Sequence, residues 1–145
     1  MADTRRYFEQ VREREELPPF SIKVNRTHIV KFAGAGGDFN PIHHDEEYAK
    51  ALGLPSVFAM GLMHGGFLSR IVTDWAGDGR VKRYKIKFAG IVWPGDTLTC
   101  KGRAVRKYRQ GADHLVDCEL FVENQKGDNV IVGEATVSLP AMAVS

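Results

Sequence analysis

The chain has 145 residues, of which 43% are hydrophobic and 26% charged, with a formal net charge of +2. That length suits one domain, residues 1–145, able to bury a core without staples, and the interspersed, near-balanced charge argues against a nucleic-acid surface. No apolar run is long enough to span a bilayer and no apolar stretch follows Met1, so no membrane partner and a cytoplasmic location are expected.

Residues 1–16 are strongly charged and are expected to form a helix or a frayed N-terminal arm, ended by Pro18-Pro19. Residues 20–24 alternate and predict a short strand. Thr27 is placed to cap a short helix through Ala33, broken by Gly34, Gly36 and Gly37. Asp45 suits the N-cap of a second short helix. Glu46 and Glu47 fall in its first turn, where the helix dipole favours carboxylates, and Gly53 stops it.

From about Gly61 to Ala76 runs the longest apolar stretch. Its apolar residues occupy most of a helix circumference, which predicts a buried helix. Gly65 and Gly66 each cost about 1 kcal/mol in a helix interior, so close approach to a sheet is expected to offset them. After Gly77 and Gly79 the period changes to two. Strands are expected from Tyr84, from Leu98 to Val105, from Val116 and from Ile131, linked by short turns that favour antiparallel pairing. The order predicts α+β: an antiparallel sheet covering one hydrophobic helix. Lys85, Lys87 and Arg103 read as solvated sheet-face charges. Cys100 and Cys118 fit no zinc or redox spacing and read as buried free thiols. The histidines show no ligand spacing, so no metal is expected.

Asp38, Asn40 and His43 follow a glycine-rich break and flank Pro41, which fixes its own φ and holds Asn40 extended. A carboxylate, an amide and an imidazole on so stiff a segment can converge on one small volume. Histidine titrates near neutrality, and a neighbouring carboxylate can orient its tautomer or share a bound water. That is equipment for general acid–base catalysis, worth ~10²–10⁴-fold. From these residues alone, a turn that hydrogen-bonds its own backbone is the more ordinary reading.

The segment Gly37-Asp38-Phe39-Asn40-Pro41-Ile42-His43-His44-Asp45 resembles the signature of the MaoC-like dehydratases, which include the (R)-specific enoyl-CoA hydratases. The resemblance continues through Ala49, Gly53, Pro55 and Gly61 to Ser69, Phe88 and the turn Val92 to Leu98, and covers most of residues 20–140. It implies a single hot-dog fold, an antiparallel sheet wrapped around a long central helix. It implies reversible hydration of trans-2-enoyl thioesters to (R)-3-hydroxyacyl thioesters, a hydro-lyase activity with Asp38 and His43 activating water. Gly61 matches the position whose backbone N–H meets the charge developing on the thioester oxygen. Asn40 and Ser69 match positions that help build the site, with a turn role for Asn40 and a packing role for Ser69 standing equally. The family usually has His-Gly at the helix start, where this chain has Met60-Gly61.

No cofactor is implied, since a CoA or acyl-carrier-protein thioester is itself the substrate. A homodimer or higher hot-dog assembly is implied, with a heteromer as the alternative. Two other functions remain open: a hot-dog acyl-CoA thioesterase, and a non-catalytic partner subunit of a dehydratase.

Overall fold

The computed structural model describes residues 5–144. Five strands, β1 (Glu16–Lys23), β2 (Val81–Phe88), β3 (Thr97–Gln110), β4 (Asp113–Glu123) and β5 (Asn129–Ser138), accompany three helices, α1 (Arg26–Gly36), α2 (Glu46–Ala51) and α3 (Gly61–Ala76). The sheet is antiparallel throughout, in the order β1-β3-β4-β5-β2. It curls around α3, which touches all five strands. This is the α+β hot-dog arrangement.

The topology explains where a site can form. The chain lays β1 at one edge, runs through the helices, lays β2 at the opposite edge, then returns to β3 beside β1. The link between β2 and β3 must therefore cross the sheet end near the start of α3. It is pinned on the way: Ala89 N–H donates to Val130 O at 2.9 Å, Ala59 N–H to Val92 O at 2.9 Å, and Gly95 N–H to Val24 O at 2.7 Å.

On α3, Leu68, Ile71, Val72, Trp75 and Ala76 are buried against the sheet, and Leu68 and Val72 are fully enclosed. Burial of each such aliphatic side chain contributes about 1.5–3 kcal/mol. The helix is not apolar on every side. Leu62 is 66% exposed, and Arg70 and Asp74 share its outer face. The two helix glycines also divide. A Cβ on Gly65 would lie 2.6 Å from Ile86 Cδ1, and the Tyr84 hydroxyl donates to Gly65 O at 2.6 Å, so β2 does approach closely there. Gly66 meets nothing within 4 Å, and its lack of a side chain has no packing cause.

Several boundaries differ from the sequence reading: β2 and β4 each begin three residues earlier, at Val81 and Asp113, and β3 runs past Val105 to Gln110. Strand β1 begins at Glu16, with Pro18-Pro19 inside it. It is an edge strand with a register shift between Leu17 and Phe20, and proline is tolerated at such an edge because no ladder N–H is required there. Helix α1 starts two residues earlier, at an Asn25 cap, and runs through Gly34 to Gly36. Asn25 Oδ1 accepts from His28 N–H at 2.9 Å while His28 Nδ1 accepts from Asn25 N–H at 3.1 Å, a reciprocal cap with histidine in the place usually held by Glu or Gln. The left-handed Gly37 ends it at φ 72°.

The N-terminal segment, over its described part, is neither helix nor frayed arm. A short turn at Phe8–Gln10 buries Phe8 and Val11 against the core, and Phe8 N–H donates to Pro140 O at 2.9 Å. Residues 1–4 of that expectation lie outside the described residues. Cys100 and Cys118 are buried free thiols on different rungs, opposite Val122 and Ala104 respectively. Burial pushes both thiols up to about 12.

Candidate active site

Asp38 and His43 lie on the irregular link between α1 and α2, and local chemistry shapes that link. Asn40 caps a single turn at Pro41–His43, its Oδ1 accepting from Ile42 N–H at 3.2 Å. Its own N–H donates to Asp38 Oδ1 at 3.3 Å. The turn closes with His43 N–H on Asn40 O at 3.1 Å. On the C-terminal side Asp45 caps α2, accepting from Tyr48 N–H at 3.0 Å.

The His43 ring is 8% exposed and lies edge-on to Phe58, with centroids 5.0 Å apart. Its Nδ1 is 2.6 Å from Phe58 O. A carbonyl only accepts, so that contact places the proton on Nδ1. In the neutral ring Nε2 is then a bare lone pair, and it faces Asp38 Oδ2 at 3.6 Å. That gap is too long for a direct hydrogen bond. Two acceptors facing each other cannot bond directly, but a water between them can donate one proton to each.

The Phe58 carbonyl is held in turn. Phe58 N–H donates to Ile42 O at 3.3 Å, and Phe58 lies edge-on to Trp93 at 6.1 Å. Trp93 belongs to a turn organised by the buried Asp96. That carboxylate accepts from Trp93 N–H at 2.8 Å and from Gln125 Nε2 at 2.7 Å. The sequence marks 93–96 as a turn. It does not mark its link to His43, because the decisive atom is a backbone carbonyl.

Gly61 begins α3. Met63 N–H donates to Met60 O at 3.0 Å, while Met60 offers no side-chain cap, so the Gly61 and Leu62 amides are left for another acceptor. A Cβ on Gly61 would lie 2.6 Å from the Phe88 ring. The segment 58–61 thus joins the carbonyl that fixes His43 to the amide at the helix start. Ser69 is two turns further along α3 and donates to Gly66 O at 2.7 Å. The structure brings Asp38, Asn40 and His43 together and ties them to the helix start. It gives Asn40 a turn-forming bond and Ser69 a bond within its own helix.

A match to the model of the MaoC like domain spans residues 8–126. The chain belongs to this family. It is 33% identical over 124 residues to the 3-oxo-4,17-pregnadiene-20-carboxyl-CoA hydratase beta subunit of Mycobacterium tuberculosis, covering 85% of this chain and 91% of that one. It is 31% identical over 142 residues to the (R)-specific enoyl-CoA hydratase of Rhodospirillum rubrum, covering 93% and 92%. Among solved structures, the ChsH1-ChsH2 complex from Mycobacterium tuberculosis superposes with a TM-score of 0.77 at 27% identity, over 88% of this chain and 98% of that one. The R-hydratase PhaJ1 of Pseudomonas aeruginosa gives 0.84 over 96% and 91% at 22% identity, which is a likeness of fold. The MaoC-like relatives include enoyl-CoA hydratases, and the chain is of that hydratase type at the level of the family.

Proposed function

We propose that this MaoC-like chain adds water reversibly to trans-2-enoyl thioesters of CoA or acyl carrier protein, giving (R)-3-hydroxyacyl thioesters. The observation that carries this reading is the facing pair of acceptors, His43 Nε2 and Asp38 Oδ2, 3.6 Å apart with the histidine tautomer set by Phe58 O. A water held between them donates to both, which fixes its orientation and exposes an oxygen lone pair to C3.

As the C3–O bond forms, the base takes one water proton and the C2=C3 electrons move onto the thioester oxygen. The Gly61 amide at the start of α3 meets that charge, where the helix dipole also favours it. C2 then collects one proton from the dyad. The elements of one water are added and no electron leaves the substrate, so the scheme needs no cofactor. Asn40 holds the dyad segment in shape, and Ser69, bonded within its own helix, takes the packing role.

A heteromeric assembly is the reading favoured by two relatives, one named a beta subunit and one solved as a two-protein complex; a homodimer is the other. The test is loss of the enoyl-thioester ultraviolet absorbance on adding purified protein to short, long and bulky trans-2-enoyl-CoAs. Release of free thiol with the enoyl absorbance intact would replace hydration with thioester hydrolysis.

A further inference from the structure

His64 is the third residue after Gly61 and lies in the first turns of α3. It is 2% exposed, and its Nδ1 is sealed from solvent with no hydrogen-bond partner. Leu68, Ile71, Val72 and Trp75 continue the same buried part of the helix. An unpaired buried imidazole nitrogen is costly. Among the described residues no hydrogen bond reaches that nitrogen. Helical side chains lean toward the N-terminus, which directs a side chain at position 64 toward the turn that begins at Gly61.

We propose that His64 is a second hydrogen-bond donor to the thioester carbonyl oxygen, beside the Gly61 amide; this inference rests on the hydration reading above. Two independent features lie at the same end of α3. The helix start presents amides with no side-chain cap, and one turn in stands a buried N–H-bearing ring with an unmet hydrogen bond. Burial pushes the ring down to about 4, so it is neutral at ordinary pH and donates without surrendering its proton. A neutral imidazole at a helix N-terminus polarises a substrate carbonyl in other enzymes. Met60, one turn ahead and also buried, is the flexible neighbour that can yield as the carbonyl enters. His64 then acts on the oxygen while Asp38 and His43 act on the water. The three groups divide the reaction between its two charged ends.

The test uses the full chain with two probes. Steady-state hydration of trans-2-hexenoyl-CoA is measured for wild type, His64→Leu and His64→Gln, with His64→Met as a second apolar variant should leucine fail to fold. Infrared difference spectra are recorded for bound carbonyl-labelled hexanoyl-CoA, which cannot be hydrated. Loss of one donor of this kind lowers kcat by about 10²–10³-fold in other enzymes. The apolar variants are expected to show that fall with KM moving less than about threefold. His64→Gln, which restores an N–H, is expected to recover at least about tenfold. The labelled carbonyl band is expected to move to lower frequency on wild type and to lose much of that displacement in His64→Leu. An apolar variant within about threefold of wild-type kcat, an unchanged band, or no binding of hexanoyl-CoA overturns the assignment. If wild type hydrates no enoyl-CoA yet the band still shifts and depends on His64, the hydration reading falls and the contact stands.

Discussion

Asp38 and Asp96 are two carboxylates on loops built from the same vocabulary of glycine, proline and aromatic residues, and the fold treats them in opposite ways. Asp96 is 7% exposed, with both oxygens engaged by Trp93 N–H and Gln125 Nε2. Asp38 keeps 46% of its side chain open, accepts one long bond from Asn40 N–H, and faces a histidine across a gap that neither group closes. The saturated carboxylate is part of the frame. On the proposed reading the open one is held for the water. The two histidines divide in a related way: His43 has its Nδ1 answered by Phe58 O, and His64 has its Nδ1 unanswered inside the core.

The largest expected effect breaks the comparison at the open carboxylate. Asp38→Asn keeps the shape of the side chain and removes one acceptor for the water. Hydration is expected to fall about 10²–10⁴-fold while the melting temperature stays within error, because a half-exposed group with one weak bond contributes little to folding. His43→Gln is expected to behave alike in rate. Unchanged turnover in both variants would remove the dyad from the mechanism.

The next effect sharpens the histidine half and is read as stability against pH. The folded His64 ring has its pKa lowered to about 4 from 6.5 by burial. Between those values the unfolded chain binds a proton that the folded chain refuses. Stability from this residue is therefore complete above pH 6.5 and is lost as pH falls toward 4, by up to about 3 kcal/mol. His64→Leu is expected to flatten the urea-unfolding stability over that window relative to wild type, since carboxylates common to both proteins cancel in the difference. Parallel stability curves would show that the ring is solvated, or paired in both states.

Much of this arrangement was legible in the sequence, and the failures have physical causes. The Asp45 cap, the extent of α3 and the turn at 93–96 are local. Each is written in a capping residue, a period or a Pro-Gly pair, and the structure has all three where they were expected. The α1 start was misplaced because Asn25 and Thr27 are both good caps, and the choice went to the residue whose partner, His28, could bond back. The prolines inside β1 were read as a stop because edge position is a property of the sheet rather than of the strand. The pair Asp38 and His43 was ambiguous with a turn for a similar reason. The bond that sets the tautomer comes from a carbonyl fifteen residues away. His64 stands out in the sequence only by lying one turn after Met60, where the family usually has histidine, and its unpaired Nδ1 shows only in the structure.

Asp96→Ala breaks the closed carboxylate and is expected to act mainly on stability. It leaves the Trp93 N–H and the Gln125 amide without their acceptor, at a cost of about 1–3 kcal/mol. Activity is expected to fall by less than in Asp38→Asn, because the damage reaches His43 only through Trp93 and Phe58. A loss of rate equal to that of Asp38→Asn at unchanged stability would mean that Asp96 belongs to the chemistry after all.

Gln125→Ala should have the smallest effect and tests the frame from its other side. Gln125 stands in the turn between β4 and β5, donating to Asp96 and accepting from Thr97 N–H at 3.0 Å. Truncation removes two hydrogen bonds near the surface, where water replaces part of what is lost. The expected cost is about 1 kcal/mol, seen as a fall of a few degrees in the melting temperature. Asp96 keeps its bond from Trp93 N–H, so the ring ladder to His43 should hold and the hydration rate should stay within about twofold. If the rate falls further while Asp96 stays buried, the β4–β5 turn itself shapes the substrate path, and the division between frame and site must be redrawn to include it.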